Sequence, residues 1–146
     1  MRVAIIAHGL SDGGAERVAS ITANYFVSIG HEVLYIAVYS PEREYHLDSR
    51  VKYYYADYKK KNKMMRFISR SEQVARQIKR FDSDIAVSFL INETFYASVL
   101  KVAPIVYSLR IDPAEVMRKK SNAFFCKYCY KRSPAVIFQT KDARDY

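Results

Sequence analysis

Several groups of residues in this sequence have types and spacings suited to chemistry. The first is His8 to Gly14, HGLSDGG, between an apolar run and a helix-like pattern. Gly9, Gly13 and Gly14 free the backbone to turn tightly and place no side chain in the way of a ligand. The helix expected from Ala15 aims its unpaired N–H groups and the positive end of its dipole at this loop, which favours an anion, a diphosphate above all. The second group is Asn92 with Glu93, and the third is Arg110 with Asp112. An arginine at the end of a strand is suited to phosphate or sugar hydroxyls. His8 has the chemistry to touch a substrate or carry a proton near neutral pH. The fourth group is the C-x-x-C of Cys126 and Cys129, in FFCKYCYKR. Redox pairs sit at helix N-termini, and a structural zinc takes four ligands. This pair lies mid-helix and has no second pair, so two buried thiols one turn apart are expected, with no metal site.

The spacing of the glycine loop excludes some uses. No Gly-Lys-Ser/Thr follows it, so it is not a P-loop, and it is not G-x-G-x-x-G. A dinucleotide site wants an acid at the end of the second strand, where this chain has Tyr39 and Ser40, with Glu42 a poor substitute. On spacing alone, a turn that uses glycine for its own geometry is as good a reading as an anion cradle.

These groups need a scaffold, and the apolar periodicity supplies one. Short runs rich in β-branched residues predict strands at 2–8, 31–39, 51–56, 83–90, 103–109 and 134–139. Between them, spacings of three and four residues predict helices at 15–29, 64–81, 93–101 and 113–132. Gly30 fits a C-cap and Pro113 a first turn. Thr140 fits the N-cap of a last helix, with Asp142 near its positive end. In the second helix, Arg66, Arg70, Gln73, Gln77 and Arg80 fall largely outside the apolar stripe. Strands alternating with helices predict an α/β fold: a Rossmann-like, doubly wound, mainly parallel sheet flanked by helices. Such sheets bind ligands at the carboxyl ends of their strands, and that places His8 to Gly14, Asn92, Glu93, Arg110 and Asp112 together.

Length and composition agree. A chain of 146 residues, half of them hydrophobic, makes one domain with a real core. No apolar run approaches the roughly 20 residues of a membrane span, and the N-terminus reads as a strand, so a cytoplasmic location is expected. Net charge is +9. Its bases concentrate at 59–80, where Glu72 is the one acid, and at 118–132, which has none. Such clusters point to an anionic partner. Lys59, Lys60, Lys61, Lys63 and Arg66, beside Met64, Met65 and Phe67, are candidates to meet an anionic membrane surface. No exposed aromatic platform or known motif supports nucleic acid.

Four segments resemble a known family in the right order. GGAERV with the later GHEV looks like the N-terminal domain of glycosyltransferase family 4. SDIAVSFL is similar to its fourth strand, often PDVVISFL in the bacterial polysaccharide branch. VYSLRIDP resembles that branch's V-x-S-E-R-N-D-P, and AVIFQTKDARDY its A-V-V-x-Q-T strand and following helix. The resemblance implies the N-terminal half of a GT-B fold, with two Rossmann-like domains facing each other across a cleft. The N-terminal domain takes the acceptor, a glycan or a lipid-linked glycan. The C-terminal domain takes the nucleotide-sugar donor and carries an E-x7-E motif. Transfer retains anomeric configuration and uses no metal and no cofactor.

By the same resemblance, Gly13 and Gly14 would approach the donor diphosphate, and Arg110 and Asp112 would face the acceptor or the reaction centre. Leu109 and Ile111 stand where the branch has Glu and Asn, and Glu93 has no family counterpart. Asn92 and Glu93 are acceptor-side candidates by position alone. The expectation is a single acceptor-side domain over 1–146, without the donor domain and inactive alone. In the full enzyme it would serve cell-surface polysaccharide synthesis, peripherally on the inner face of the membrane. The alternative from the residues alone is a stand-alone anion- or membrane-binding module without catalysis.

Overall fold

The computed structural model describes residues 1–11, 13–57, 62–92 and 94–145. The elements run β1 (Arg2–Ala7), α1 (Gly14–Ser28), β2 (Glu32–Ala37), β3 (Lys52–Tyr55), α2 (Lys63–Phe81), β4 (Ile85–Ser88), α3 (Phe95–Val99), β5 (Ile105–Leu109), α4 (Pro113–Arg118), α5 (Lys120–Arg132), β6 (Val136–Phe138) and α6 (Lys141–Asp145). The sheet has the order β3-β2-β1-β4-β5-β6, and every pairing is parallel. This is the Rossmann-like α/β fold expected from the sequence. The strand order reverses between β1 and β4, which opens a crevice at their carboxyl ends.

The strands form because their apolar runs are covered on both sides. On one side α1 lays Ala19, Ala23 and Val27 over Val3, Ile5, Val33 and Tyr35. On the other side α2 lays Val74, Ala75 and Ile78 over Ala4, Ile6, Leu34 and Ile36, joined by Ala97 of α3 and Cys129 of α5. Each buried isoleucine of this core contributes roughly 1.5–3 kcal/mol by leaving water. The three tyrosines of β3 divide between the layers, Tyr53 and Tyr55 to the α1 side and Tyr54 to the other.

The helix ends have local causes. Gly30, at φ 88°, closes α1 in the left-handed region. Asn62 caps α2 by accepting from the Met64 N–H at 2.8 Å. Thr140 caps α6 by accepting from the Ala143 N–H at 3.1 Å.

Three expectations need correction. The long helix over 113–132 is two helices, because Lys119 takes an extended conformation (φ −94°, ψ 119°) between α4 and α5. The helix expected over 93–101 spans only Phe95–Val99, because the Thr94 hydroxyl bonds back to the Leu90 carbonyl and holds the preceding turn closed. Arg70 is buried rather than off the stripe, with its guanidinium 4.1 Å from the centre of the Tyr39 ring. Gln73 also turns inward and binds the Tyr54 hydroxyl at 2.9 Å and the Asp57 carbonyl at 2.8 Å. Among the described residues, no helix is long and apolar enough to cross a membrane.

Candidate functional site

The candidate residues sit on the loops that leave β1, β4 and β5, and those after β4 and β5 share a cavity that the loop after β1 does not line. The turn after β4 is built by hydroxyls. Ser88 is buried and donates to the Leu90 carbonyl at 2.5 Å, and its oxygen lies 3.2 Å from that of Thr94. This fixes the backbone that presents Asn92. After β5, the buried Ser108 accepts from Arg110 Nε at 3.0 Å, and the Arg110 guanidinium sits 5.7 Å from the centre of the Phe89 ring. Arg110 is thereby held at both its nitrogen and its plane.

Asn92 and Arg110 line one cavity of about 120 Å³, together with Ser108, Phe89, Val116 and Asn122. Small-molecule sites usually enclose roughly 300–1,000 Å³, so this cavity is smaller than a complete site of that kind. Asn122 and Val116, from α5 and α4, are site neighbours that the sequence reading missed. They lie on helices facing the strand ends, and nothing in their spacing marks them.

The other candidates are placed differently. Asp112 caps α4, accepting from the Ala114 N–H at 2.9 Å, so its carboxylate has a structural partner. His8 is exposed and stacks on Tyr39, with ring centres 4.7 Å apart and planes 16° from parallel. Arg70 lies over the same ring. Tyr39 thus joins the ends of β1 and β2 to α2, a role sequence spacing did not reveal. Glu93 lies outside the described residues, as do Lys59, Lys60 and Lys61. Lys63 is exposed and Arg66 half-buried on the first turn of α2, beside exposed Met64 and Met65. Phe67 is half-buried and packs against Tyr96 and Phe125, at 5.8 and 6.0 Å between ring centres.

The glycine loop has a more specific geometry than its sequence suggested. Gly9, Gly13 and Gly14 all have ordinary φ angles. A Cβ on Gly9 would come within 2.8 Å of Ser40 Cβ, so this glycine serves the close approach of two loops. The Tyr35 hydroxyl fastens that approach by donating to the Gly9 carbonyl at 2.7 Å. A Cβ on Gly13 would lie 1.8 Å from Glu16 Oε2, so the Glu16 carboxylate is folded back over the start of α1. It complements the helix dipole there and occupies ground that an incoming phosphate would use. Only at Gly14 is the space open, with nothing within 4 Å.

Cys126 and Cys129 are free and buried. Burial pushes the Cys126 thiol up to about 11, so it stays protonated near neutral pH. Among the described residues, no cluster of three or more His, Cys, Asp or Glu is placed to hold a metal ion.

Comparison with solved structures finds the same fold in other proteins. The chain matches HepE of Anabaena, solved with UDP-glucose, at TM-score 0.68 and 11% identity, over 99% of this chain and 39% of that one. It matches the lipopolysaccharide outer core galactosyltransferase WaaB at TM-score 0.61 and 17% identity, over 93% and 38%. A glycosyltransferase from Rickettsia africae matches at TM-score 0.57 and 15% identity, over 86% and 34%. The chain therefore spans about two fifths or less of the length of these structures. No family profile matches the sequence, and no curated protein sequence matches it.

Proposed function

We propose that this chain is the acceptor-side domain of a GT-B glycosyltransferase, one that moves a sugar from a nucleotide-sugar to a glycan or lipid-linked acceptor with retention of configuration. The observation that carries the reading is the meeting of Asn92 and Arg110 in one small cavity at the carboxyl end of a Rossmann-like sheet, in a fold shared with glycosyltransferases. The size of that cavity supports a division of labour in which a second domain supplies the rest of the donor pocket. The UDP-glucose in HepE supports a nucleotide-sugar as donor. Gly14, the open position at the start of α1, is the point of this domain that approaches the donor diphosphate. Arg110 binds acceptor hydroxyls or phosphate, held in place by Ser108 and Phe89. Neither metal nor cofactor is assigned to the reaction.

The acceptor's lipid end is met by the first turn of α2, where Lys63 and Arg66 flank Met64 and Met65, which are 71% and 50% exposed. Each base near an anionic leaflet is worth about 1 kcal/mol. In this reading the domain works at the cytoplasmic membrane face, in cell-surface polysaccharide synthesis.

The test is a transfer assay with radiolabelled UDP-glucose and a lipid-linked glycan extract. The 146-residue chain alone is expected to be inactive, and the chain joined to a donor domain bearing E-x7-E is expected to be active. Robust turnover by the chain alone would overturn the division of labour. A joined protein whose activity is unchanged by Arg110→Ala would overturn the role of the cavity.

A further inference from the structure

A second cavity, of about 610 Å³, opens at the opposite end of the sheet from the candidate site. It lies between the ends of α3 and α5 and the starts of β5 and β6, and its volume falls within the usual range for small-molecule sites. Its lining includes three cations, Lys101, Lys131 and Arg132, and no acid. Among the described residues, none of the three pairs with a carboxylate. The acids at this end of the sheet are engaged elsewhere. Asp82 accepts from the Arg2 guanidinium at 2.6 Å, and Asp84 from the Arg2 backbone N–H at 2.7 Å.

Lys131 and Arg132 sit in the last turn of α5, where cations complement the helix dipole. Arg132 is also held by Tyr128, with its guanidinium 4.2 Å from the ring centre and its Nη1 2.5 Å from the hydroxyl. That account does not extend to Lys101. Lys101 has φ 51°, in the left-handed region, just past the end of the five-residue α3. Glycine fills such a position without strain, and lysine does not. A lysine in the left-handed region beside two more cations that no described carboxylate pairs is a feature that calls for a functional reading. Polar groups line the interior as well. The Ser98 and Tyr107 hydroxyls bond to each other, and Ser133 Oγ donates to the Ile105 carbonyl at 2.6 Å.

We propose that this cavity binds the phosphate group of a phosphorylated ligand, at a site separate from the one that transfers sugar. The phosphate belongs either to a soluble molecule or to a lipid headgroup, and the two sources are separable by experiment. The inference rests on the cations and the cavity alone and is independent of the proposed transferase role.

Backbone amide NMR on the 146-residue chain, titrated with inorganic pyrophosphate, tests it. The expected result is saturable shifts at Val102, Ser133 and their neighbours. Lys101→Gly is expected to weaken this binding about tenfold, the effect of one lost charge-assisted contact. It should leave thermal stability equal or higher, because the strained φ is relieved. That pairing separates a binding role from a folding role. Lys131→Ala provides a second variant that leaves the backbone of the turn alone. Shifts from soluble pyrophosphate that phosphatidylglycerol vesicles do not displace assign a soluble ligand. Vesicle binding that pyrophosphate competes away, and that neutral phosphatidylcholine vesicles lack, assigns a headgroup. Shifts confined to Gly13, Gly14 and Ala15, or no shifts up to millimolar pyrophosphate, would overturn the proposal.

Discussion

The middle of the sheet and its edges are built to different standards. In β1 and β2, five of six residues are buried in each strand, and helices cover both faces. In the edge strands β3 and β6 no residue is buried, Ile137 of β6 is 47% exposed, and α6 buries nothing. The central strands satisfy the rule that parallel strands need cover on both sides, and the edges do so incompletely. The candidate residues follow the inner strands: Gly14 and His8 come after β1, Asn92 after β4 and Arg110 after β5.

Stability measurements can break or sharpen this contrast. The largest effect is expected from Ile36→Ala in the core, a loss of about 2–5 kcal/mol in urea denaturation. Ile137→Ala should lose under about 1 kcal/mol, within the range of surface changes. Equal losses would erase the distinction between the middle of the sheet and its edges.

Next in size is Gly9→Ala. Its Cβ would press on Ser40 at 2.8 Å, and overpacking of this kind costs typically about 1–3 kcal/mol. A thermal midpoint unchanged from the parent would mean that the two loops part easily.

Alkaline pH should act mainly where α5 packs on β5. Burial raises the Cys126 thiol from 9.0 to about 11 and also raises the Tyr107 and Tyr130 hydroxyls. The folded state holds these protons more tightly than the unfolded state does. The resulting stability is complete below the unfolded thiol value and is lost as pH climbs from about 9 towards 11. The urea midpoint should fall over that window, and less so in Cys126→Ala. A flat midpoint there would show that these groups are solvated.

The smallest effect belongs to Gly14→Ala, where the open space predicts a stability change within about 0.5 kcal/mol. In the joined transferase the same change should weaken binding of the nucleotide-sugar. Unchanged donor affinity would remove Gly14 from the phosphate path.

Much of this fold was legible in the sequence. VAIIA and VLYIA are unbroken apolar runs, and they became fully covered central strands because both faces of a parallel strand want the same residues. The break at Lys119 was not legible, because neither Gly nor Pro marks it and its immediate neighbours, Arg118 and Lys120, suit a helix. Arg70 misled for a related reason. Periodicity assigns a guanidinium to water, whereas this one finds the Tyr39 ring, a partner from a distant strand end. At the site, position after a strand grouped Asn92 with Arg110, and the two line one cavity. It could not show that Asp112 and Glu16 spend their carboxylates on helix starts, since capping and catalysis ask for the same side chains.

The place of β1 at the middle of the sheet also governs how the molecule forms. β1 is synthesised well before β4, yet one of its two ladders waits for that strand, where Val3 meets Ile85. Contacts so far apart in sequence are slow to close, and a chain dominated by them folds in roughly milliseconds to seconds. At about 5–20 residues per second on the ribosome, β1 and β2 emerge seconds before β4 does. Throughout that interval an apolar strand edge stands open to any passing chain. Any delay before α2 and β4 arrive therefore lengthens the exposure of that edge.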